Sequence, residues 1–335
     1  MQTSISHALS RKLANVGIVC AALVVIDHSI VNAPSGSLFW WFTQCLSQGF
    51  CQIAVPFFFV VSGFLLVAHR NEVGWWKCEV RKRVKSLLVP FFIWGVLGSL
   101  CLTIWLSPVG VTEWGRGVLM HLGIYPFSLP TNTPLWFLRS LFFLVVMSPF
   151  LFWCVRRFRW LTLVFWYGLS IVLSVVLKSF PEWNNFCGNF IPLKWGCFWF
   201  SLGAFLREQP MALPRRNFYL LALAIGSSLV VASKYLLLQN VSLAPLLQKI
   251  SIPFLLASLW GCFPDFHWTS VVTSLAFPIY LVHMPLIMLA RENYQMTGFF
   301  GYCFCIAIGL LGSVIIASVL RRWLPRFASV VFGGR

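Results

Sequence analysis

Ten apolar runs, each near the roughly 20 residues that cross a hydrocarbon core, follow one another along the chain with short polar interruptions. They lie at about 14–33, 50–68, 87–107, 136–155, 160–177, 190–206, 217–237, 246–263, 270–290 and 299–320. The 335 residues are 59% hydrophobic and 10% charged, where soluble domains run near 45–50% and about 25%, so a water-soluble globule is excluded. No polar stretch apart from the first dozen residues and the end is long enough for an extramembrane domain. The expected fold is all-α: a polytopic integral membrane protein of about ten helices, forming one domain over residues 1–335. Arg11 and Lys12 before the first run have the look of a signal peptide, but Asp27 and His28 near its end and nine further runs favour a retained helix.

The net charge of +17 would suggest nucleic acid in a soluble protein. Here its distribution argues for topology instead. Eighteen Lys and Arg fall in one alternating set of connecting segments and three (Arg116, Lys178, Arg291) in the other. By the positive-inside rule this places both termini in the cytoplasm, in agreement with an even number of spans. The 11 cysteines are scattered through apolar runs without a CxxC pair, and they read as small hydrophobes rather than as metal ligands or a disulfide framework. The segment at about 108–135, rich in Pro and Gly, is the longest outer loop and is placed to cap a cavity.

Ionisable groups inside lipid are costly and mark function. The runs contain one acid (Asp27), two histidines (His28, His283) and four bases (Arg139, Lys194, Lys234, Lys249). With the topology above, all seven lie in the outer half of the membrane. They outline a basic, histidine-bearing chamber open to the outside, suited to an acceptor with phosphate or carboxylate groups. Each also has a plainer reading. The lysines can snorkel to the interface, Arg139 can anchor there, and a membrane histidine can bond one helix to another. Adjacent helical positions do not face each other, so Asp27 is expected to pair with a base on another helix rather than to orient His28.

On the inner face, Arg70 and Arg81-Lys82-Arg83-Val84-Lys85 are opposed only by Glu72 and Glu79. That run either sets topology and binds lipid headgroups or cradles a soluble polyphosphate such as coenzyme A. No P-loop or GxGxxG turn is present, which argues against ATP hydrolysis and dinucleotide binding.

Four motifs then occur in order. They are Pro56-Phe57-Phe58-Phe59-Val60-Val61-Ser62-Gly63-Phe64-Leu65, the basic segment Arg81–Lys85 running on to Ser86-Leu87-Leu88-Val89-Pro90, Pro134-Leu135-Trp136-Phe137-Leu138-Arg139-Ser140-Leu141 with Ser148-Pro149, and Ser274-Leu275-Ala276-Phe277-Pro278-Ile279-Tyr280-Leu281-Val282-His283. Together they resemble the membrane acyltransferase 3 family, which includes bacterial O-acetyltransferases of surface polysaccharides. The likeness covers nearly the whole chain. The family's first helix commonly carries Arg and His with ten residues between them; His28 matches the histidine, while Gly17 stands at the arginine position, with Arg11 or Lys12 as conjectured substitutes.

The resemblance implies an acyltransferase of the bacterial inner membrane that takes an acyl group, most often acetyl from acetyl-CoA, to a surface glycan or its lipid-linked precursor. Arg81, Lys82, Arg83 and Lys85 would hold the phosphates of coenzyme A, and the pantetheine arm would pass Ser62 and Gly63, the glycine allowing close approach. His28 would be general base, with Asp27 beside it, and Arg139 or His283 would stabilise the oxyanion or position the acceptor. Lys194, Lys249 and Tyr280 would complete the acceptor site. No metal is implied. A transporter or flippase of a glycan precursor is the alternative, but the runs reveal no repeat or interrupted helix of the kind transporters show. A non-catalytic membrane subunit, its polar groups only gluing helices together, is a third reading.

Overall fold

The computed structural model describes residues 5–106, 132–176, 192–209, 214–264, 266–294 and 296–334, and every element of regular structure among them is helical. In order the helices are α1 (His7–His28), α2 (Leu38–Leu46), α3 (Ala54–Leu66), α4 (Trp75–Arg83), α5 (Val89–Leu106), α6 (Trp136–Phe158), α7 (Trp160–Val176), α8 (Cys197–Glu208) and α9 (Arg216–Leu238). There follow α10 (Ala244–Cys262), α11 (Ser270–Thr273), α12 (Ala276–Tyr294), α13 (Gly298–Ala307), α14 (Ser313–Trp323) and α15 (Pro325–Val331). Short tight or wide turns join several of them end to end. Among the described residues six helical stretches are long and apolar enough to cross a membrane: His7–His28, Leu38–His69, Thr133–Phe158, Arg216–Leu238, Ala244–Cys262 and Gly298–Trp323. Trp160–Leu173 and Ala276–Arg291 are apolar but shorter.

The boundaries differ from the sequence reading where capping outweighs hydropathy. The first helix ends at His28 rather than near residue 33, because the Ser29 hydroxyl turns back to the Val25 carbonyl (2.7 Å) and Pro34 follows. The second run begins a helix earlier than expected. Gly36 takes a left-handed φ of 79°, and the Ser37 hydroxyl then accepts from the Trp40 amide (3.1 Å) to start α2. The basic segment is helical rather than a loop, since α4 runs through the wide turn Val84–Leu88 into α5. The ninth run is divided, with α11 and α12 on either side of a turn at Ser274 and Leu275. The expected capping loop lies outside the described residues up to position 131.

The chain divides into two compact units. One comprises residues 5–58 and 211–315. Its core joins Ala21 and Val25 of α1 to Ile279 and Ile287 of α12 and Tyr302 and Cys305 of α13. In the same unit α9 and α10 form a close hairpin turned at Asn240, whose φ of 57° suits an asparagine. A Cβ on Gly226 would press on Leu255 and one on Gly261 would overlap the Tyr219 ring, so the missing side chains set how near the two helices come.

The other unit comprises residues 59–210 and 316–335. Here α8 packs on α6 and α7, with the Phe152 and Phe200 rings stacked at 5.8 Å and 3°. The Trp94 indole donates to the Val331 carbonyl (3.0 Å), fastening α15 to α5. Gly63 and Gly203 meet reciprocally. A Cβ on Gly63 would overlap the Phe200 carbonyl oxygen, and one on Gly203 the Val60 carbonyl oxygen. The close approach that the Gly63 motif permits is thus, in this structure, that of a second helix backbone.

Candidate active site

The last turn of α1 carries Asp27 and His28 in adjacent positions. The His28 Nδ1 lies 2.9 Å from the Val24 carbonyl oxygen one turn back. A carbonyl oxygen only accepts, so Nδ1 is the donor in this bond, and in the neutral ring Nε2 is then the acceptor. The Asp27 Oδ2 stands 3.9 Å from the same Nδ1. That is too long for a hydrogen bond but close for a charge.

Asp27 was expected to pair with a base on another helix. Its direct partners are amides instead: Gln48 Nε2 and Gln52 Nε2 both donate to Oδ1, at 3.0 and 2.8 Å. Lys234, from α9, is 5% exposed and donates to the Gln48 carbonyl oxygen at 2.9 Å, so it turns inward and does not snorkel. Neither glutamine figured in the sequence reading. The signal was present, because Gln44, Gln48 and Gln52 recur every four residues within an apolar stretch, which puts amides on one face of a membrane helix.

His283 projects from α12 into the same place. It is fully buried, its ring centroid 5.4 Å from that of His28 in an edge-on arrangement. Its Nδ1 is likewise held by the carbonyl one turn back, that of Ile279 (3.0 Å), and its Nε2 has no hydrogen-bond partner among the described residues. The Tyr280 ring is buried 6.2 Å from His283. The structure therefore gathers Asp27, His28, Tyr280 and His283, with two imidazoles each held through Nδ1 by its own helix. Lys249 belongs to the same unit, half-buried on α10. Of the conjectured substitutes for the arginine position, Lys12 places its ammonium 4.9 Å over the Trp260 ring, while Arg11 is exposed.

The remaining sequence candidates belong to the other unit. Ser62 on α3, Arg139 on α6 and Lys194 in the turn Pro192–Gly196 are half-buried. In the basic segment the charges are not equivalent. Glu79 is 4% exposed and is bonded to Lys82 (2.7 Å), with Arg83 at 3.6 Å. The Glu79 hydrogen bond holds the Lys82 ammonium above its ordinary range. Arg81 and Lys85 are exposed and have no ion-pair partner among the described residues.

The profile of the acyltransferase domain of the acyltransferase 3 family matches residues 18–318, most of the chain. The chain belongs to that family. The matched range takes in Asp27, His28, Tyr280 and His283 together with the basic segment, and six helical stretches among the described residues are long and apolar enough to cross a membrane. A curated relative is the succinoglycan biosynthesis protein ExoH of Rhizobium meliloti (strain 1021), 27% identical over 137 residues, which are 37% of this chain. The match spans about a third of that relative, 35% of its length. No solved structure is significantly similar to this acyltransferase.

Proposed function

We propose that this acyltransferase moves an acyl group, acetyl above all, from cytosolic acyl-CoA to a hydroxyl of an extracytoplasmic glycan or its lipid-linked precursor. The observation that carries the reading is the His28 imidazole, its Nδ1 proton engaged by Val24 and its Nε2 left as an acceptor beside a carboxylate. In this mechanism Nε2 takes the proton of the acceptor hydroxyl while the oxygen adds to the thioester carbonyl. The tetrahedral intermediate then expels the coenzyme A thiolate, which leaves with the proton returned by the imidazolium. Asp27 favours that imidazolium by its charge 3.9 Å away. The His283 Nε2, without a hydrogen-bond partner among the described residues, accepts a hydrogen bond from the acceptor, and Tyr280 and Lys249 line its site. The relative's link to succinoglycan biosynthesis supports a polysaccharide acceptor. About ten spans, both termini in the cytoplasm, one functional domain over residues 1–335 and residence in a bacterial inner membrane complete the proposal.

The deciding experiment compares surface glycans from cells with and without the gene by mass spectrometry, then supplies isotope-labelled acetyl-CoA to the purified protein. A difference of one acyl group that carries the label is expected. Glycans of unchanged mass, with no label transferred, would overturn the proposal.

The donor site admits a sharper test. Glu79 already occupies Lys82 and Arg83, so Arg81 and Lys85, without an ion-pair partner among the described residues, are the cations of this segment offered to phosphate. Replacing both of these by alanine is expected to raise KM for acetyl-CoA about tenfold, each exposed charge contact being worth up to about 1 kcal/mol. Replacing Lys82 and Arg83 is expected to do less. Equal effects from the two pairs, or an effect only on membrane insertion, would make the run topogenic.

A further inference from the structure

The stretch Leu38–His69 is a membrane-length helix that is interrupted between α2 and α3. Nothing in the hydropathy of the run announces this, and it corrects the expectation that the runs hold no interrupted helix. At Thr43 the hydroxyl bonds back to the Phe39 and Trp40 carbonyls (3.1 Å each), and the amides of Ser47 and Gln48 both turn to the Thr43 carbonyl. Gly49 follows, where a Cβ would overlap the Cys45 carbonyl oxygen and press on Val230 of α9. The interruption leaves the Gln48 carbonyl without a helical partner among the described residues and the Gly49 carbonyl with only the Gln52 amide at 3.3 Å, and in lipid such groups must be satisfied by protein. Both are met by the α9–α10 hairpin. Lys234 Nζ donates to the Gln48 oxygen at 2.9 Å, and Gln248 Nε2 to the Gly49 oxygen at 3.3 Å.

What the interruption presents on its other side is the pair of amides on Asp27, Gln48 Nε2 at 3.0 Å and Gln52 Nε2 at 2.8 Å. Gln48 therefore stands in both sets of bonds: its backbone oxygen receives Lys234 and its side chain holds the acid beside His28. The Ser47 hydroxyl adds a bond to the Ile26 carbonyl at 3.0 Å, which ties the interruption to the backbone that precedes Asp27. We propose that Lys234 is a positioning residue: by bonding the Gln48 carbonyl it fixes the interrupted helix from which Gln48 and Gln52 hold Asp27 against His28. The proposal deepens the general-base reading of His28, and it makes the α9–α10 hairpin the support of that site. A buried lysine is retained here at the cost of desolvation because the interruption needs a donor that reaches across from α9.

The test uses the full-length protein with 15N-labelled histidine in lipid nanodiscs. The His28 resonances are identified by their loss in His28→Ala. In Lys234→Met they are expected to move while those of His7 and His69 stay, and Lys234→Arg is expected to restore them. With acetyl-CoA as donor and a membrane glycan extract as acceptor, Lys234→Met is expected to lower kcat about tenfold with KM for acetyl-CoA within about twofold. Gln52→Leu, which removes one of the two donors to Asp27, is expected to move the same resonances and serves if Lys234→Met does not fold.

Unmoved His28 resonances in Lys234→Met or Gln52→Leu would overturn the proposal, as would unchanged kcat in a folded Lys234→Met. Loss of folded protein in both lysine variants would reduce Lys234 to a structural role and also overturn it. The resonance shifts do not depend on the reaction, so an active His28→Ala would remove the general-base reading and leave the positioning result legible.

Discussion

His28→Ala is expected to lower acyl transfer roughly 100- to 10,000-fold, the range over which a positioned general base acts, without loss of folded protein. The expectation follows from geometry. The imidazole is anchored by its own helix through Nδ1 and lies at the end of α1, so its removal opens no large gap in the core formed by Ala21, Val25, Ile279 and Ile287. The loss should fall on kcat, since His28 is assigned proton transfer during the reaction and no part in binding coenzyme A. His283→Ala is expected to cost less in rate and more in stability, because that ring is fully buried. Labelled acetyl transfer by purified variants, with size-exclusion profiles as the control for folding, checks both. A fully active His28→Ala would remove the base and with it the mechanism.

The second large effect concerns the reciprocal glycines. Gly63→Ala and Gly203→Ala each drive a methyl into a backbone carbonyl of the facing helix, of Phe200 and Val60 respectively. Backbone oxygens on two packed helices cannot rotate away as a flexible side chain would, so the helices must separate. The expected loss is about 3 kcal/mol for each, at the upper end of overpacking costs. In a detergent thermal scan this is expected as a fall of roughly 4 °C. Gly17→Ala and Gly168→Ala are the controls. A Cβ at either meets nothing within 4 Å, and both positions are helical, so alanine there is expected to be neutral or slightly stabilising. If Gly63→Ala folded as stably as the wild type but bound acyl-CoA poorly, the glycine would serve the donor rather than the helix crossing.

Much of the candidate site was legible because ionisable residues are rare in apolar runs. Asp27, His28 and His283 stand out against a chain with 10% charged residues, and the structure brings them into one cluster. The glutamines on Asp27 went unread because an uncharged amide stands out less than an ion, although their four-residue spacing was a usable signal. For Lys234 a place in the polar cluster and snorkelling both stood open. Proximity to a helix end favours snorkelling, and only the released carbonyl of Gln48 explains why the ammonium turns inward. The division of labour within Arg81–Lys85 was also hidden, since net charge does not show which cations Glu79 has taken.

The sequence by itself determined the all-helical membrane class and the family, because a bilayer forces each long apolar run to satisfy its own backbone and so makes a helix a local property of composition. The tertiary structure alone decided where the second long helix is interrupted, which bases meet acids, and what each bare glycine faces. Those depend on groups far apart in the chain, as with Lys234 and Gln48 at 186 residues' separation, and no periodicity within one segment encodes such a meeting.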